Sequence, residues 1–442
     1  MRTFIGIDLG STTTKAVLLD EGGQVLGRGI TNSRSDYDLA AAIAKAEAHT
    51  AARLELLARE LETSVGRAAL ETFLPRLRVE LRRQEDLTQL RLLADLCADE
   101  CRAPRVAHIR QELESRVAAI TAEMIRQREK PNPLVVLAAG DHSSDFFRDR
   151  ATTAYRHAAE RHADLEIGFD DLMSIFDKAI IRVENTRIEE GFGELVGRAL
   201  DGVSGRLEPE MAAGCRAAVE RTLAVELEEA GVIGTGYGRA RLPFPKESIR
   251  SEILCHGLGA HHQFPATRTV LDIGGQDTKA IQVDERGIVT SFQMNDRCAA
   301  GCGRYLGYIA DEMSLGVHEL GPLALQSERN VKITSTCTVF AGAELRDRLS
   351  AGQRREDILA GLHRAIIIRT MSLLARSGGV KDEFTFTGGV ANNPAAVLAL
   401  RGLVEENYGP RTLNISPGSI YTGALGAALF SLRAAEEGRP AA

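Results

Sequence analysis

The sequence predicts an α/β protein with two lobes and a large helical insertion in the first lobe. A strand ending in Asp, a Gly-containing turn, a second strand, a hairpin turn and a third strand occur at residues 3–35 and again from residue 268. Between the two copies, residues 36–139 contain a single glycine, Gly66, and carry leucines at helical spacing. The repeat is a diverged duplication, so we expect each copy to build one lobe.

The order of the predicted elements gives the domain boundaries. Helical spacing, broken at residues 131–133, runs to about residue 229, where glycine and β-branched residues return. A helix is expected over 248–262, and the second copy of the strand unit follows it. We therefore predict lobe one at residues 1–35 and 229–266, the helical insertion at 36–228 and lobe two at 267–442.

Composition excludes several classes of protein. The 442 residues carry a net charge of −7, which argues against a general nucleic-acid binder. Trp is absent and aromatic residues make up 5%, so bases would find few stacking platforms. No run of 18 apolar residues and no secretory signal are apparent, and the seven cysteines are an odd number. We expect a cytoplasmic protein without a membrane-spanning helix or a disulfide framework.

The first turn, Asp8–Lys15, has the chemistry of a phosphate-binding loop. Glycine lets the backbone approach a phosphate closely, and hydroxyl groups add donors. Asp8, at the end of its strand, can hold hydrated Mg²⁺, and Lys15 can reach a phosphate as a point charge. The candidate phosphate-binding residues of this turn are Gly10, Ser11, Thr12, Thr13 and Lys15.

Two later turns complete a candidate nucleotide site. In the second copy, Asp272 is the counterpart of Asp8, and Gly274 and Gly275 follow it. Gln276 or Asp277 is expected to orient the attacking water, although Gln276 can equally bind phosphate. A third turn follows the strand at 384–386 and offers bare backbone to an adenosine through Gly388, Gly389 and Val390. One Gly-rich turn is usually a plain turn, but three together predict a nucleotide site.

These paired turns resemble those of the actin, Hsp70 and sugar-kinase superfamily. The sequence has no Walker A motif and no G-x-G-x-x-G loop at its first strand. The resemblance implies a two-lobed, actin-like (ribonuclease H-like) ATPase fold with ATP and Mg²⁺ between the lobes.

Two cysteines stand out by position. Cys298 and Cys337 precede predicted helices in Gly-, Ser- and Thr-rich surroundings, and a helix N-terminus favours a thiolate. A four-iron cluster usually has four thiolate ligands, which two chains would supply across a two-fold axis. Cys302 is a possible third ligand, and buried inert thiols are the alternative. The remaining cysteines, and the three histidines of the 248–262 helix, are expected to be structural. These residues are Cys97, Cys101, Cys215, Cys255, His256, His261 and His262.

The joint motifs resemble the ATPases that activate 2-hydroxyacyl-CoA dehydratases and energise benzoyl-CoA reductases. The matching segments are Asn295–Gly301, Ser335–Ala341, Asp272–Asp277 and Thr235–Arg239. The resemblance implies a 4Fe–4S cluster shared between two related subunits, with Cys298 and Cys337 as this chain's ligands. The long insertion and Cys302 are similar to the larger ATPase subunits of ATP-dependent benzoyl-CoA reductases.

The resemblance implies an ATP-hydrolysing electron-transfer subunit. It would take electrons from ferredoxin and pass them to two benzoyl-CoA-binding subunits, which reduce the ring to a cyclohexadiene, and it would pair with a smaller homologous ATPase subunit. An activator of a 2-hydroxyacyl-CoA dehydratase is the first alternative. A small-molecule kinase of the same fold, with incidental cysteines, is the second.

Overall fold

The computed structural model describes most of the chain. The described residues are 1–33, 36–130, 146–186, 191–205, 207–236, 243–295, 302–313, 315–329, 331–333 and 338–438. The predicted cluster ligands Cys298 and Cys337 lie outside them. Most of Asn295–Gly301 and part of Thr235–Arg239, which carried the family resemblance, also lie outside.

The chain divides into two compact units. Unit 1 consists of Met1–Ala52 and Leu227–Ala442, and unit 2 is Arg53–Glu226. The sequence predicts the insertion at 36–228, whereas the division between the two units falls within a helix, α1 (Tyr37–Ser64). The first half of α1 belongs to unit 1 because it packs on the first sheet, where Gly27 and Gly29 leave no room for a Cβ against the α1 backbone. The assignment of two lobes and an insertion stays a prediction.

The first sheet of unit 1 has four strands in the order β3-β2-β1-β4. Its strands are β1 (Arg2–Leu9), β2 (Thr13–Leu19), β3 (Val25–Asn32) and β4 (Glu228–Gly236). β1 pairs antiparallel with β2 and parallel with β4. In that register, Asp8 lies opposite Lys15 on one side and Thr235 on the other.

The second sheet repeats this arrangement with five strands in the order β7-β6-β5-β8-β9. Its strands are β5 (Thr269–Ile273), β6 (Thr278–Val283), β7 (Val289–Asn295), β8 (Phe384–Thr387) and β9 (Leu413–Asn414). β5 pairs antiparallel with β6 and parallel with β8, and Asp272 lies opposite Lys279 and Thr387. The duplication seen in the sequence is therefore present in the strand register as well.

Two helices pack closely beside these sheets. They are α8 (Glu252–Gln263) and α14 (Thr422–Glu436). A Cβ at Gly426 would overlap the Cys255 backbone, and one at Gly259 would overlap the Thr422 carbonyl, so glycine sets the close approach. Gly6 of β1 likewise admits the backbone of α14.

The other helices of unit 1 surround the second sheet. They are α9 (Gly303–Met313), α10 (Val317–Ala324), α11 (Thr338–Ser350), α12 (Arg355–Ser377) and α13 (Pro394–Tyr408). Among the described residues, α12 alone is long and apolar enough to cross a membrane. More than half of its most apolar stretch is buried, and Leu362, Ile366 and Leu374 belong to the core cluster of the second sheet and α13.

Unit 2 is helical throughout its described residues. Besides the end of α1 it contains α2 (Arg67–Cys101), α3 (Arg110–Glu129), α4 (Phe147–His162), α5 (Phe169–Glu184), α6 (Phe192–Ser204) and α7 (Pro209–Ala224). Cys97 and Cys101 lie in the core around Tyr155 and Phe176, and burial raises the pKa of Cys97 to about 12. A thiol that stays protonated is a poor metal ligand.

Candidate active site

Each sheet ends in the same group of three side chains. Asp8 is 5% exposed, and the Lys15 Nζ lies 3.4 Å from its Oδ2 atom. Asp272 is 1% exposed, the Lys279 Nζ lies 3.2 Å from its Oδ2, and the Thr387 hydroxyl donates a 2.8 Å hydrogen bond to its Oδ1. Thr235 lies beside Asp8 as Thr387 lies beside Asp272.

Matching glycines follow the two threonines. Gly236 has a φ of 126° and Gly388 a φ of 85°, a region that L side chains rarely adopt. A Cβ at Gly236 would overlap the Leu9 backbone, and one at Gly388 would overlap the Ile273 carbonyl. At both positions the absence of a Cβ lets the backbone pack directly against the neighbouring strand, beside the strand-end aspartates. In the third predicted turn, Gly389 is exposed and Val390 is buried.

The two lysines have different surroundings. Lys279 is 3% exposed and lies within 3.2 Å of three carboxylates: Asp272, Asp277 and Glu252. Burial alone would lower the pKa of Lys279, but these carboxylates raise it well above its usual value. Lys15 has one ion pair among the described residues, with Asp8, and its side chain is 12% exposed. Lys15 is therefore the lysine with donors to spare for a phosphate.

The second turn places its two candidate water-orienting residues differently. The Asp277 carboxylate lies 2.9 Å from the Lys279 Nζ, and the Asp277 carbonyl accepts a 3.0 Å hydrogen bond from the Gly274 N–H. Asp277 is thus tied to its own turn. Gln276 is half-buried beside it. Of the two candidates, Asp277 is held by an ion pair with Lys279, whereas the uncharged Gln276 is not.

The first and second turns meet. A Cβ at Gly275 would collide with the Thr12 hydroxyl, so the two turns touch at that point. Ser33 braces the first turn, since its N–H donates to the Thr12 carbonyl at 2.8 Å and its hydroxyl donates to the Gly10 carbonyl. Ser11 and Thr13 are half-buried in this turn and Thr12 is exposed. Gly10, Ser11, Thr12, Thr13, Lys15, Gly274 and Gly275 therefore gather at one place.

The second turn also holds the start of helix α9. The Gly303 N–H donates to the Gly274 carbonyl at 2.8 Å, and the Arg304 N–H donates to the Gly275 carbonyl at 2.7 Å. Cys302 precedes α9 and is 1% exposed. The segment that contains Cys298 joins the chain directly before this point.

Comparison with known proteins identifies the family. A model of the BadF/BadG/BcrA/BcrD ATPase family matches residues 5–431. The chain belongs to this family.

Curated relatives of this ATPase family match less than half of the chain. The (R)-2-hydroxyglutaryl-CoA dehydratase activating ATPase of Acidaminococcus fermentans is 45% identical over 203 residues, which are 46% of this chain and 75% of that protein. The activator of lactoyl-CoA dehydratase of Anaerotignum propionicum is 40% identical over 205 residues, 46% of this chain and 76% of the activator. A benzoyl-CoA reductase subunit of Thauera aromatica is 33% identical over 212 residues, 46% of this chain and 74% of that protein.

Solved structures confirm the predicted fold class. Component A of the (R)-2-hydroxyglutaryl-CoA dehydratase of Acidaminococcus fermentans aligns with a TM-score of 0.51 and 24% identity, covering 99% of this chain and 100% of component A. The activator of the 2-hydroxyisocaproyl-CoA dehydratase from Clostridium difficile, with bound ADPNP, aligns with a TM-score of 0.52 and 23% identity, covering 99% and 96%. The chain has the actin-like α/β fold.

Sequence reasoning missed three buried titratable residues at this site. Lys279 has a visible signal, because it follows Asp272 at the same spacing as Lys15 follows Asp8. Glu252 and His256, one turn apart on α8, carry no such signal, and His256 was assigned a structural role with the other histidines of its helix. Its Nδ1 lies 3.3 Å from the Asp272 Oδ1.

Burial and charge set the protonation of these groups. Burial alone would lower the pKa of His256, but Asp272 raises it above its usual value. Burial would raise the pKa of Asp272, but His256 and Lys279 hold it well below its usual range. Burial also raises the pKa of Glu252, and Lys279 offsets only part of that effect. Among the described residues, no cluster of three or more His, Cys, Asp or Glu has the geometry to hold a metal ion by itself.

Proposed function

We propose that this chain binds Mg²⁺ and ATP between the ends of β1 and β5 and hydrolyses the nucleotide to drive electron transfer to a 2-hydroxyacyl-CoA dehydratase. The observation that carries the proposal is the duplicated Asp–Lys–Thr group at the two strand ends. Two buried carboxylates, a lysine with free donors and two touching glycine-containing turns form a cradle suited to a phosphate chain and its metal.

Each predicted residue has a part in this proposal. Asp8 and Asp272 hold Mg²⁺ through water and organise the terminal phosphates. Gln276 orients the attacking water, because Asp277 is engaged by Lys279. Adenosine lies against Gly388, Gly389 and Val390, of which Gly389 is exposed. The phosphate oxygens are bound by Gly10, Ser11, Thr12, Thr13, Lys15, Gly274 and Gly275.

The electron carrier in this proposal is a 4Fe–4S cluster held by Cys298 and Cys337 together with the equivalent cysteines of a second subunit. Such a cluster, when bound, accepts and releases one electron at low potential. A shared cluster needs ligands that a partner can approach. Cys302, which is 1% exposed, does not meet that requirement, so the possible third ligand is left out. The hydrogen bonds from the start of α9 to Gly274 and Gly275 support coupling between the nucleotide turn and the cysteine segment.

The choice of electron acceptor rests on the relatives. Three of them are named as dehydratase activators, at 40–45% identity, whereas the benzoyl-CoA reductase subunit of Thauera aromatica is 33% identical. We therefore place the dehydratase first and reverse the order that the sequence resemblance gave. Electron delivery to benzoyl-CoA-reducing subunits, with a smaller homologous ATPase subunit and ferredoxin as donor, remains the second candidate because that reductase protein also matches.

The test begins with iron and acid-labile sulfide analysis of the anaerobically purified full-length protein. The proposal expects about two iron atoms and two sulfides per chain, that is, one four-iron cluster for every two subunits. The same preparation should hydrolyse ATP, and a 2-hydroxyacyl-CoA dehydratase should become active when both are supplied with reductant. Iron-free protein that transfers phosphate to a small acceptor would contradict the proposal and favour a kinase.

The reductase candidate differs from the dehydratase activator in its subunit assembly and in the molecule that accepts its electron. A dehydratase activator should form a dissociable homodimer, whereas a reductase subunit should copurify with a shorter homologous ATPase chain. Ring reduction of benzoyl-CoA by the purified complex would decide for the reductase. Dehydratase activation by the protein alone would decide for the activator.

A further inference from the structure

Helix α8 carries two buried polar side chains into the site from outside both phosphate turns. Glu252 and His256 are each 6% exposed and lie one helical turn apart. Neither the Glu252 Oε1 nor the His256 Nδ1 forms a hydrogen bond of good geometry with a described residue. Buried polar atoms without such bonds are uncommon in folded proteins, so each requires an explanation.

The His256 ring faces both strand-end aspartates. Its Nδ1 lies 3.3 Å from the Asp272 Oδ1 at the end of β5. Its Nε2 and the Asp8 Oδ2 approach the same point: a Cβ built on Gly423 would lie 2.8 Å from the first atom and 3.1 Å from the second. His256 therefore contacts the carboxylate of the second sheet and lies near that of the first, with no ion pair to Asp8 among the described residues.

His256 is also the member of this group that the duplication does not repeat. The Asp, Lys and Thr residues occur once in each sheet, whereas His256 comes from α8 alone and fills the space that Gly423 of α14 leaves open. Asp272 is held on both oxygens, by Lys279 on Oδ2 and by Thr387 and His256 on Oδ1. Asp8 has its Lys15 contact on Oδ2, and the same oxygen borders the space at Gly423 that the His256 ring borders.

We infer that His256 is a positioning residue that holds Asp272 by direct contact and limits the movement of Asp8 by filling the space beside it, so that the two sheets present one preformed site to the metal and nucleotide. The His256 Nδ1 lies 3.3 Å from one oxygen of Asp272, and its Nε2 borders the space at Gly423 that Asp8 also borders. Misplacement of a catalytic group by about 1 Å can lower a rate by two orders of magnitude. This inference rests on the proposed ATP hydrolysis at the same site.

The first test replaces the histidine. His256→Leu keeps an apolar side chain of similar bulk, and His256→Gln keeps a polar end. We expect the kcat for ATP hydrolysis to fall about tenfold or more in His256→Leu, with a higher Mg²⁺ concentration at half-maximal rate and little change in ADP affinity without Mg²⁺. His256→Gln should recover part of the kcat. The melting temperature of nucleotide-free protein in EDTA should fall in His256→Leu and fall less in His256→Gln.

The second test leaves the histidine in place. Gly423→Ala adds a methyl group that presses on the His256 ring and the Asp8 carboxylate, and its expected result is the same change in kcat and Mg²⁺ dependence. Gly402→Ala in α13 is the matched control, because a Cβ there meets nothing within 4 Å. His262→Gln, an exposed histidine on α8, controls for a change of histidine on that helix. Both controls should keep wild-type kinetics.

The outcomes separate this inference from the proposed function. Wild-type protein that hydrolyses no ATP would overturn the proposed function. Wild-type hydrolysis with unchanged kcat and Mg²⁺ dependence in His256→Leu and Gly423→Ala would overturn the positioning role alone. An equal loss in His262→Gln would also overturn it. If His256→Leu does not fold, His256→Gln and Gly423→Ala decide the question by the same measurements.

Discussion

At the scale of single residues, the site uses two lysines at matched positions for different purposes. Lys15 has one carboxylate neighbour among the described residues, whereas Lys279 has three. A duplicated sheet therefore keeps the same residue in both copies while only one copy leaves its ammonium group available to a ligand. The ammonium group of Lys279 offsets part of the negative charge of the three carboxylates around it.

Replacing each lysine with methionine should separate these roles. Lys15→Met should weaken ATP binding and lower the free energy of unfolding less than Lys279→Met does, because it leaves one carboxylate without its partner rather than three. Lys279→Met leaves three buried carboxylates without their partner and should destabilise the protein by about 3–5 kcal/mol. Calorimetric titration with ATP and urea denaturation measure the two effects. Equal losses of stability in the two variants would contradict the distinction.

Sequence alone predicted the residues that follow a strand end and missed those that a distant helix supplies. Asp8 and Asp272 were predictable because each ends a strand and precedes a glycine-containing turn. The engagement of Asp277 by Lys279 depends on strand register, which the sequence does not display directly. His256 reaches Asp272 only because α8 packs beside the second sheet, and no local pattern reports that packing.

At the scale of elements, the turn after β8 depends on a glycine for two reasons. Gly388 has a positive φ, and a Cβ there would overlap the Ile273 carbonyl. We expect Gly388→Ala to lower stability and to abolish measurable ADP binding, since the third turn would be pushed away from the strand. Denaturation curves and ADP titration measure both consequences.

Gly352→Ala is the matched control for that substitution. Gly352 also has a positive φ, 75°, but a Cβ there meets nothing within 4 Å. Gly352→Ala should lower the free energy of unfolding by about 1–2 kcal/mol, because alanine disfavours the left-handed backbone, and should leave ADP affinity unchanged. Identical behaviour of the two variants would mean that crowding at Gly388 has no role.

The cap at the start of helix α13 is linked by a hydrogen bond to a buried histidine, His363, whose protonation depends on pH. Burial lowers the pKa of His363 to about 4. The ring Nδ1 donates to the Leu359 carbonyl at 2.7 Å, and the Nε2 accepts a hydrogen bond from the Asn393 amide at 3.0 Å. The Asn393 side-chain Oδ1 in turn accepts from Ala395 N–H and Ala396 N–H to cap α13. Protonation of His363 would place an N–H at Nε2, which would then face the Asn393 amide donor without an acceptor between them.

The pH dependence of stability follows from this lowered pKa. The unfolded histidine binds a proton below about pH 6.5 and the folded one only below about pH 4, so the unfolded state gains stability in between. His363 should therefore leave stability intact above about pH 6.5 and remove about 3 kcal/mol as the pH falls to about 4. Denaturation curves measured across this pH range give the free energy of unfolding at each pH. That free energy should depend less steeply on pH in His363→Gln than in the wild type. The same slope in wild type and variant would contradict the assignment.

At the scale of the whole molecule, the predicted cluster depends on two segments and leaves Cys302 out. Cys298→Ala and Cys337→Ala should each remove the EPR signal of the reduced four-iron cluster, because each takes away a ligand. Cys302→Ala should keep the signal, since the buried position of Cys302 removes it from the shared face. Full iron content in Cys337→Ala, or loss of the cluster in Cys302→Ala, would contradict the ligand set.

The organisation of the whole chain was predictable to the extent that it is repeated. The two copies of one strand unit are visible in the sequence, and each copy forms part of one of the two sheets. The division at Ala52 was not predictable, because α1 runs through it without a glycine or proline. Alanines 44, 48 and 52 pack on Gly27 and Gly29, and such contacts are not visible in helical periodicity.

The central claim is that ATP hydrolysis at Asp8 and Asp272 gates the electron that the chain passes on, and a single-turnover experiment with Asp8→Asn tests it most directly. Dithionite-reduced protein is mixed with MgATP and a 2-hydroxyacyl-CoA dehydratase, and the loss of the reduced-cluster EPR signal is followed. Asp8→Asn removes a charge facing the metal and should slow hydrolysis by a factor on the order of 100 or more. We predict that this variant assembles and reduces its cluster as the wild type does but retains the signal after ATP is added. Loss of the signal at near the wild-type rate would contradict the claim.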